Sequence, residues 1–270
     1  MPQNGTNRWT IGAVEIIRVA DPDFELVLPQ DDAAAAVLAA TPWLHPDFVT
    51  GDRALRVGSS AVAVRTPSAT IVVDPFLAFD DPARLAPRLA ALRAAGVEPD
   101  DVDLVVNTHI DGLGGNVLAD GSPVFGRARY LLPAAELEDA AAGVHGEVGA
   151  ALTRLAKEGR AAPIFDDDPL LPGVRLEDAP GHSRGHVVVW IDSGGAKAVI
   201  TGHLFLHPAQ IATPEVDSGD LDPVALARTR RALLARCVRE DALLVGPLFA
   251  DPGAGKVRQD GVGWRLVRSS

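Results

Sequence analysis

Cysteine is nearly absent from this sequence: Cys237 stands alone among 270 residues. A lone thiol excludes an intrachain disulfide and a thiolate cluster for a metal. Long apolar runs are missing too. No window approaches 18 uninterrupted apolar residues, which argues against a membrane span. The opening stretch, MPQNGTNRWTIG, lacks the apolar core of a signal peptide, so the expected setting is the cytoplasm. Positive charge is in deficit. Lys and Arg number 25 against 36 Asp and Glu, a formal net charge of -11. Such a surface repels phosphate backbones and anionic lipid. Nucleic acid and membrane are therefore poor partners, and a neutral or cationic small molecule is the better expectation. Internal repeats and long low-complexity linkers are also absent, so residues 1–270 read as one domain. The rest is ordinary globular composition, 47% hydrophobic and 23% charged, long enough to bury a sizeable core.

The first 75 residues read mostly as strands: VEIIRVA (14–20), SAVAVRT (60–66) and ATIVVDP (69–75) are short, β-branched and bounded by turn residues. DDAAAAVLAATPWL (31–44) carries a short helix that stops before Pro42. A clearer helix starts at Asp81 as N-cap and Pro82 in the first turn. It lines up Leu85, Leu89 and Leu92, admits Pro87 in its early turns, and ends at Gly96. DVDLVVNTH (101–109) then rises as a buried strand. The second half repeats this grammar. A strand at 128–133 leads into helix over 133–159, broken near Gly143 to Gly146. Strands follow at 173–177, 187–192 and 197–201. A helix at 222–239, capped by Asp222 and opened by Pro223, places Leu226, Leu233 and Cys237 on one face. Strands at 242–247 and 263–267 close the chain. Two β-rich halves with helices outside predict an α/β fold, an αββα sandwich of two mixed sheets flanked by helices.

AAGVEPDDVDLVVNTH (94–109) resembles the approach to the metal motif of metallo-β-lactamase-fold hydrolases. APGHSRGHVVVWI (179–191) resembles the loop carrying that family's third histidine ligand. VITGHLFLHPAQ (199–210) resembles the strand end that carries its bridging aspartate. TIVVDPF (70–76) is similar to the early strand whose aspartate props the metal loop. TRRALLARC (229–237), LLVGPLFADPGAG (243–255) and GWRLV (263–267) resemble the tail of the lactonase-like and organophosphate-hydrolase-like branch. The pieces arrive in the family's order and span nearly the whole chain.

The departures carry as much information. The family loop reads T-H-x-H-x-D-H-x-G, whereas this one is two residues shorter: Thr108, His109, Ile110, Asp111, Gly112. The resemblance implies that His109 is the first ligand and His182 the third. Asp111 fills either the slot of the second histidine or that of the motif's aspartate. The bridging aspartate of "TGD" is replaced by His203 in "TGH". The final histidine falls near Pro247 and Leu248 and is missing. A neutral imidazole cannot bridge two cations as a carboxylate does, so a two-metal centre is not expected.

His109, His182 and His203 instead map onto positions around one divalent ion, and three histidines with an open fourth position form a catalytic zinc set in other folds. Within this fold, persulfide dioxygenases resemble the arrangement, with one iron on two histidines and an aspartate at the slot of His203. Zinc is the first expectation, with iron or manganese as alternatives. Asp111 lies on the same side as His109 if the chain stays extended, because strand side chains alternate. It would be a fourth ligand, or an acceptor for an imidazole N–H, or the group that orients or deprotonates a metal-bound water; the plainer alternative is a side-chain cap on the Gly112–Gly115 turn. The implied substrate is a small-molecule ester, lactone or thioester. The competing reading is a metal-free pseudoenzyme, or a metal-independent biosynthetic enzyme, that binds a small molecule in the same pocket.

Other polar residues have plainer readings. Asp74 is expected to hydrogen-bond the 108–116 backbone. His186 and His207 belong to the pocket wall or the structure. His45 and His145 sit on the surface or in loops. Cys237 packs in the core. Ser183 lacks the strand–elbow–helix context of a nucleophile, and GAGKVR (253–258) lacks phosphate-loop spacing. Substrate selection is expected from the 21–50 and 205–222 segments. In TPWLHPDF (41–48), Trp43 and Phe48 look exposed, fit to cover the pocket or a partner in a homodimer.

Overall fold

The structure is a computed structural model that describes residues 5–21, 26–29, 38–51, 54–75, 85–110, 116–118, 122–166, 169–216 and 219–268. Two seven-stranded sheets pack face to face. The first runs, edge to edge, Thr6–Ile11, Val14–Ala20, Ser60–Arg65, Thr70–Val73, Leu104–Val106, Arg129–Pro133, Ala161–Ile164. Its first four strands are antiparallel and the remaining pairings parallel. The second runs Pro169–Leu171, Val174–Asp178, Val187–Ser193, Ala196–Ile200, Leu243–Val245, Ala254–Asp260, Gly263–Val267. Its one parallel pairing joins Ala196–Ile200 to Leu243–Val245. A small antiparallel sheet of Leu26–Pro29, Ala54–Val57 and Val49–Thr50 is joined to the body by the Val57–Phe249 bridge.

Alternation along the strands creates three apolar layers. Ile16, Val62, Val64, Val73 and Val106 point inward and meet Val187, Val189, Ile191, Ile200 and Val245 of the second sheet. Their neighbours Ile17, Ala61, Ala63, Val72 and Val105 point outward, into a layer that holds Leu92, Leu152 and Leu155 of the outer helices. On the other outer face, Val188 and Trp190 meet Leu226, Leu233, Leu234 and Cys237 of the Pro223–Glu240 helix. Continuous β-branched runs therefore stay buried on both faces, because each sheet has a sheet on one side and helices on the other. The result is the expected αββα sandwich of two mixed sheets. Among the described residues, no helix is long and apolar enough to cross a membrane.

Local expectations compare closely. The 133–159 helix is two helices, Ala134–Ala141 and Gly146–Lys157, broken where predicted. Asp222 caps the later helix, its side chain accepting from the Val224 and Ala225 amides at 3.1 and 2.9 Å. The Leu85–Ala94 helix ends before Gly96, whose φ is +75°. Its proposed start at Asp81 and Pro82 lies outside the described residues, as does most of the expected 31–44 helix. One expectation is overturned. Phe48 is buried, and Trp43 packs half-buried against the core around the Pro223–Glu240 helix. Two aromatics beside Leu44 exclude more water by folding inward than by facing solvent.

Candidate metal centre

The parallel strand Leu104–Val106 and the strand Ala196–Ile200 belong to different sheets, and both deliver a histidine just past their C-terminal ends. His109 follows through Asn107 and Thr108. His203 follows through Thr201 and Gly202. The loop between Val174–Asp178 and Val187–Ser193 adds His182 and His186. The loops are stitched by the Val187 amide, which donates to the Thr108 carbonyl at 3.0 Å.

These loops bring His109, His182 and His203 together, with one ring nitrogen from each within 4.8 Å of the others. Ring centroids lie 4.2 Å apart for His109 and His203, 5.0 Å for His109 and His182, and 5.3 Å for His182 and His203. His109 is fully buried, while His182 and His203 are half-buried. Two nitrogens on one zinc are at most about 4.2 Å apart, twice a Zn–N bond. In a tetrahedral set the nitrogens lie about 3.4 Å apart, so the donors must close in by up to about 1.4 Å to share one ion.

Hydrogen bonds behind the rings decide which nitrogen faces inward. Asp74 accepts from the Thr108 amide at 2.8 Å and from its hydroxyl at 2.7 Å. With its proton given to Asp74, the Thr108 oxygen accepts from Nδ1 of His109 at 3.0 Å. That leaves the His109 Nε2 lone pair aimed at the cluster. Nδ1 of His182 likewise sits 2.7 Å from the Asp220 carboxylate, which turns Nε2 inward. Asp220 is buried and lies 3.8 Å from the guanidinium of Arg230. His186 accepts from the His203 amide through Nε2 at 3.0 Å, so that nitrogen is engaged and His186 supports rather than joins the set. His182 is thus backed directly by a carboxylate, and His109 by a threonine hydroxyl that a carboxylate holds, contacts of the kind that fix histidine tautomers around metals.

Two backbone features make the close approach possible. Gly202 has φ +53°, and a Cβ there would lie 2.5 Å from Oγ1 of Thr108 and 2.7 Å from Nε2 of His186. Asp74 itself sits at φ +46°, a left-handed conformation that costs energy for a non-glycine residue and clusters at functional sites.

Burial controls the charges. Desolvation, followed by the neighbouring imidazoles, holds His109 and His186 well below the usual histidine value. The same causes bring His203 down to about 3, and burial brings His207 to about 4. Burial pushes Asp74 up to about 7 against the pull of its Thr108 bonds. The unfolded chain would protonate these four histidines near pH 6.5, whereas the folded chain resists until far lower pH. Their stability contribution is present above pH 6.5 and lost as pH falls. Asp74 works in the opposite sense between about pH 7 and 4, but one carboxyl stands against four imidazoles. The melting temperature of the chelated protein is therefore expected to fall steadily from pH 7 to pH 4, measured by circular dichroism. A flat profile would mean the imidazoles are not buried as a group.

Asp74 fulfils its expected role on the Thr108 backbone, and His207 is structural, its Nε2 lying 2.7 Å from the Phe48 carbonyl. Ser183 donates to Glu136 at 2.6 Å. His45 is exposed, but His145 tucks its Nε2 to 3.6 Å from Glu136. Asp111 lies outside the described residues. Two site residues escape a reading of the sequence: Asp220 and Glu136. Nothing local marks either one. The nearest signal is Arg230, an arginine on the buried face shared by Leu226, Leu233 and Cys237, which calls for a buried anion.

Comparisons with known proteins identify the superfamily and the fold. The family model described as the metallo-beta-lactamase superfamily matches residues 54–246, and the chain belongs to that superfamily. Among solved structures, it is similar to AidC, described as a dizinc quorum-quenching lactonase in complex with a product, at 20% identity, 98% coverage of each chain and a TM-score of 0.82. It is equally similar to AbOPH, a hydrolase in the beta lactamase superfamily, at 20% identity, 98% coverage of each and a TM-score of 0.82. A probable metal-dependent hydrolase from Staphylococcus aureus matches at 18% identity, covering 97% of this chain and 100% of that one, with a TM-score of 0.72. At these identities the likeness carries the fold. No curated protein sequence matches the chain.

Proposed function

We propose that residues 1–270 form one metallo-β-lactamase-fold domain. In it, His109, His182 and His203 hold a single divalent ion, with zinc as the first choice and iron or manganese as alternatives. The reaction is hydrolysis of a small-molecule ester, lactone or thioester. The observation that carries this reading is three imidazole donors within 4.8 Å, one backed directly by the Asp220 carboxylate and one by the Thr108 hydroxyl that Asp74 holds. The structural neighbour AidC is a quorum-quenching lactonase, which supports the substrate class. A bound ion supplies Lewis acidity toward a carbonyl and a water acidified to about pKa 7. The chain's own part is to present the donors and exclude competing charge. Asp74 and Asp220 fix the imidazoles, and the depressed pKa values keep His109 and His203 neutral and able to donate lone pairs at physiological pH. Asp111, two residues from His109, is the proposed fourth ligand or the base that orients the attacking water.

A second reading rests on one specific contact. His109 Nε2 and His203 Nδ1 lie 3.0 Å apart, a hydrogen-bonding distance that satisfies both rings with a single proton and no ion. In that case the pocket is metal-free and binds a small molecule.

The test is elemental analysis of untagged protein, coupled to assays on a panel of lactones, aryl esters and thioesters before and after chelation and readdition of zinc, iron or manganese. About one equivalent of one metal, with hydrolysis lost on chelation and restored by that metal, is the expected result. Less than about a tenth of an equivalent, with no uptake on readdition, selects the metal-free pocket.

A further inference from the structure

Glu136 is a buried carboxylate in the first turn of the Ala134–Ala141 helix, outside the histidine set. Its Oε2 accepts from the Ile110 amide at 3.1 Å. Its Oε1 accepts from the Ser183 hydroxyl at 2.6 Å and the Gly185 amide at 2.9 Å. Each donor lies one residue from a site histidine: Ile110 from His109, Ser183 from His182, Gly185 from His186. The packing leaves little slack. A Cβ on Gly185 would lie 3.0 Å from both Ala135 Cβ and Glu136 Cγ. One carboxylate thus binds two loops that come from different sheets and are far apart in sequence, each oxygen serving a different loop.

We propose that Glu136 is a positioning residue that sets the register of the His109 loop against the His182–His186 loop, and so the spacing of the metal donors. It touches neither the ion nor the substrate. The third donor is linked as well, because the His203 amide donates to His186, next to the Gly185 amide that Glu136 holds. The loops keep a second tie, from the Val187 amide to the Thr108 carbonyl, so losing Glu136 loosens the donors without separating the sheets.

The chemistry of glutamine makes the idea testable. Glu136→Gln has the same shape but only one acceptor oxygen. That oxygen stays with Ser183 and Gly185, where it keeps two bonds, and the amide group then turns a donor toward the Ile110 N–H. The expected result is selective loosening of the His109 loop. Amide exchange at Ile110 should accelerate at least about tenfold, while Gly185 and the sheet amide of Val189 keep their protection. Zinc affinity, measured by competition with a chromophoric chelator, should fall roughly 10- to 100-fold, the usual cost of losing a group that orients metal ligands. Ser183→Ala removes one bond from the other oxygen and should loosen Gly185 but not Ile110.

The affinity readout rests on the single-ion reading, but the exchange readout does not. If the native protein takes up no zinc, that reading fails, while exchange in the metal-free protein still decides the role of Glu136. Unchanged Ile110 exchange in Glu136→Gln would overturn the proposal. So would equal loss of protection at Val189, which would make Glu136 a residue of the fold rather than of the site. Zinc affinity equal to native, in a native protein that binds zinc, would overturn it too.

Discussion

His203→Ala is expected to empty the proposed metal centre. Native protein should carry close to one equivalent of a single divalent ion, and the variant less than about a tenth of that after dialysis against dilute chelator. The loss should exceed the roughly 10- to 100-fold change that follows from removing a group behind a ligand, because a donor itself is gone. His203 stands where the superfamily motif has an aspartate, just past the C-terminal end of the Ala196–Ile200 strand. Without it, only His109 from the first sheet and His182 from the second remain, and two imidazoles hold zinc far more weakly than three. The His203→Asp variant separates donor loss from general damage. A carboxylate at this position is still a metal ligand, so metal content should recover toward one equivalent. His45→Ala, at an exposed histidine, should retain the native content. If His203→Ala keeps its metal, the ion sits elsewhere and the three-histidine site is wrong.

The sandwich was legible because its strands are unusually pure. VEIIRVA, SAVAVR and VVVWIDS need both faces covered, and that requirement alone implies a layer on each side. The helix starting at Pro223 announced itself through Asp222 and its apolar face. The strands that escaped are those whose sequences do not look like strands. Thr6–Ile11 is an edge strand whose polar residues are used outward, with Arg8 paired to Glu15. Ala161–Ile164 contains Pro163, tolerated because it lies on the sheet edge. Ala254–Asp260 hides among glycines that read as a loop.

The site shows a similar division. The clustering of His109, His182 and His203 could be anticipated because each sits beside a turn near the end of an apolar strand, in an order that resembles a family. Asp220 and Glu136 could not. Each acts on a partner 38 or more residues away, and a contact of that kind leaves no spacing in the sequence. Arg230 is the exception that shows what a signal looks like. A permanent cation in the middle of a buried helix face must have acceptors waiting, and it donates to the Leu204, Pro214 and Val216 carbonyls besides facing Asp220.

Asp220→Ala should do two kinds of harm at once. The carboxylate is buried between a histidine and an arginine, so its removal leaves the Arg230 charge facing a gap. Breaking a buried pair by deleting one partner costs about 3–5 kcal/mol. The three carbonyls that already accept from Arg230, together with the 3.8 Å separation, place the expected value at the lower end, about 3 kcal/mol. That loss is read as a lower denaturant midpoint at unchanged slope. The second effect is on the site. Without Asp220, Nδ1 of His182 has lost the acceptor that turned Nε2 inward, and zinc affinity should fall roughly 10- to 100-fold. Asp220→Asn distinguishes the two. Its side-chain oxygen can still accept from His182 Nδ1, so the ring stays oriented, while the charge that balances Arg230 and strengthens the imidazole as a donor is gone. Stability should then drop by less than in the alanine variant, and affinity should fall in between. Should Asp220→Asn match the native protein in both zinc affinity and denaturant midpoint, the Asp220 charge would have no part in the site. The orienting role would then rest on hydrogen-bond geometry alone, as the Thr108 hydroxyl already provides for His109.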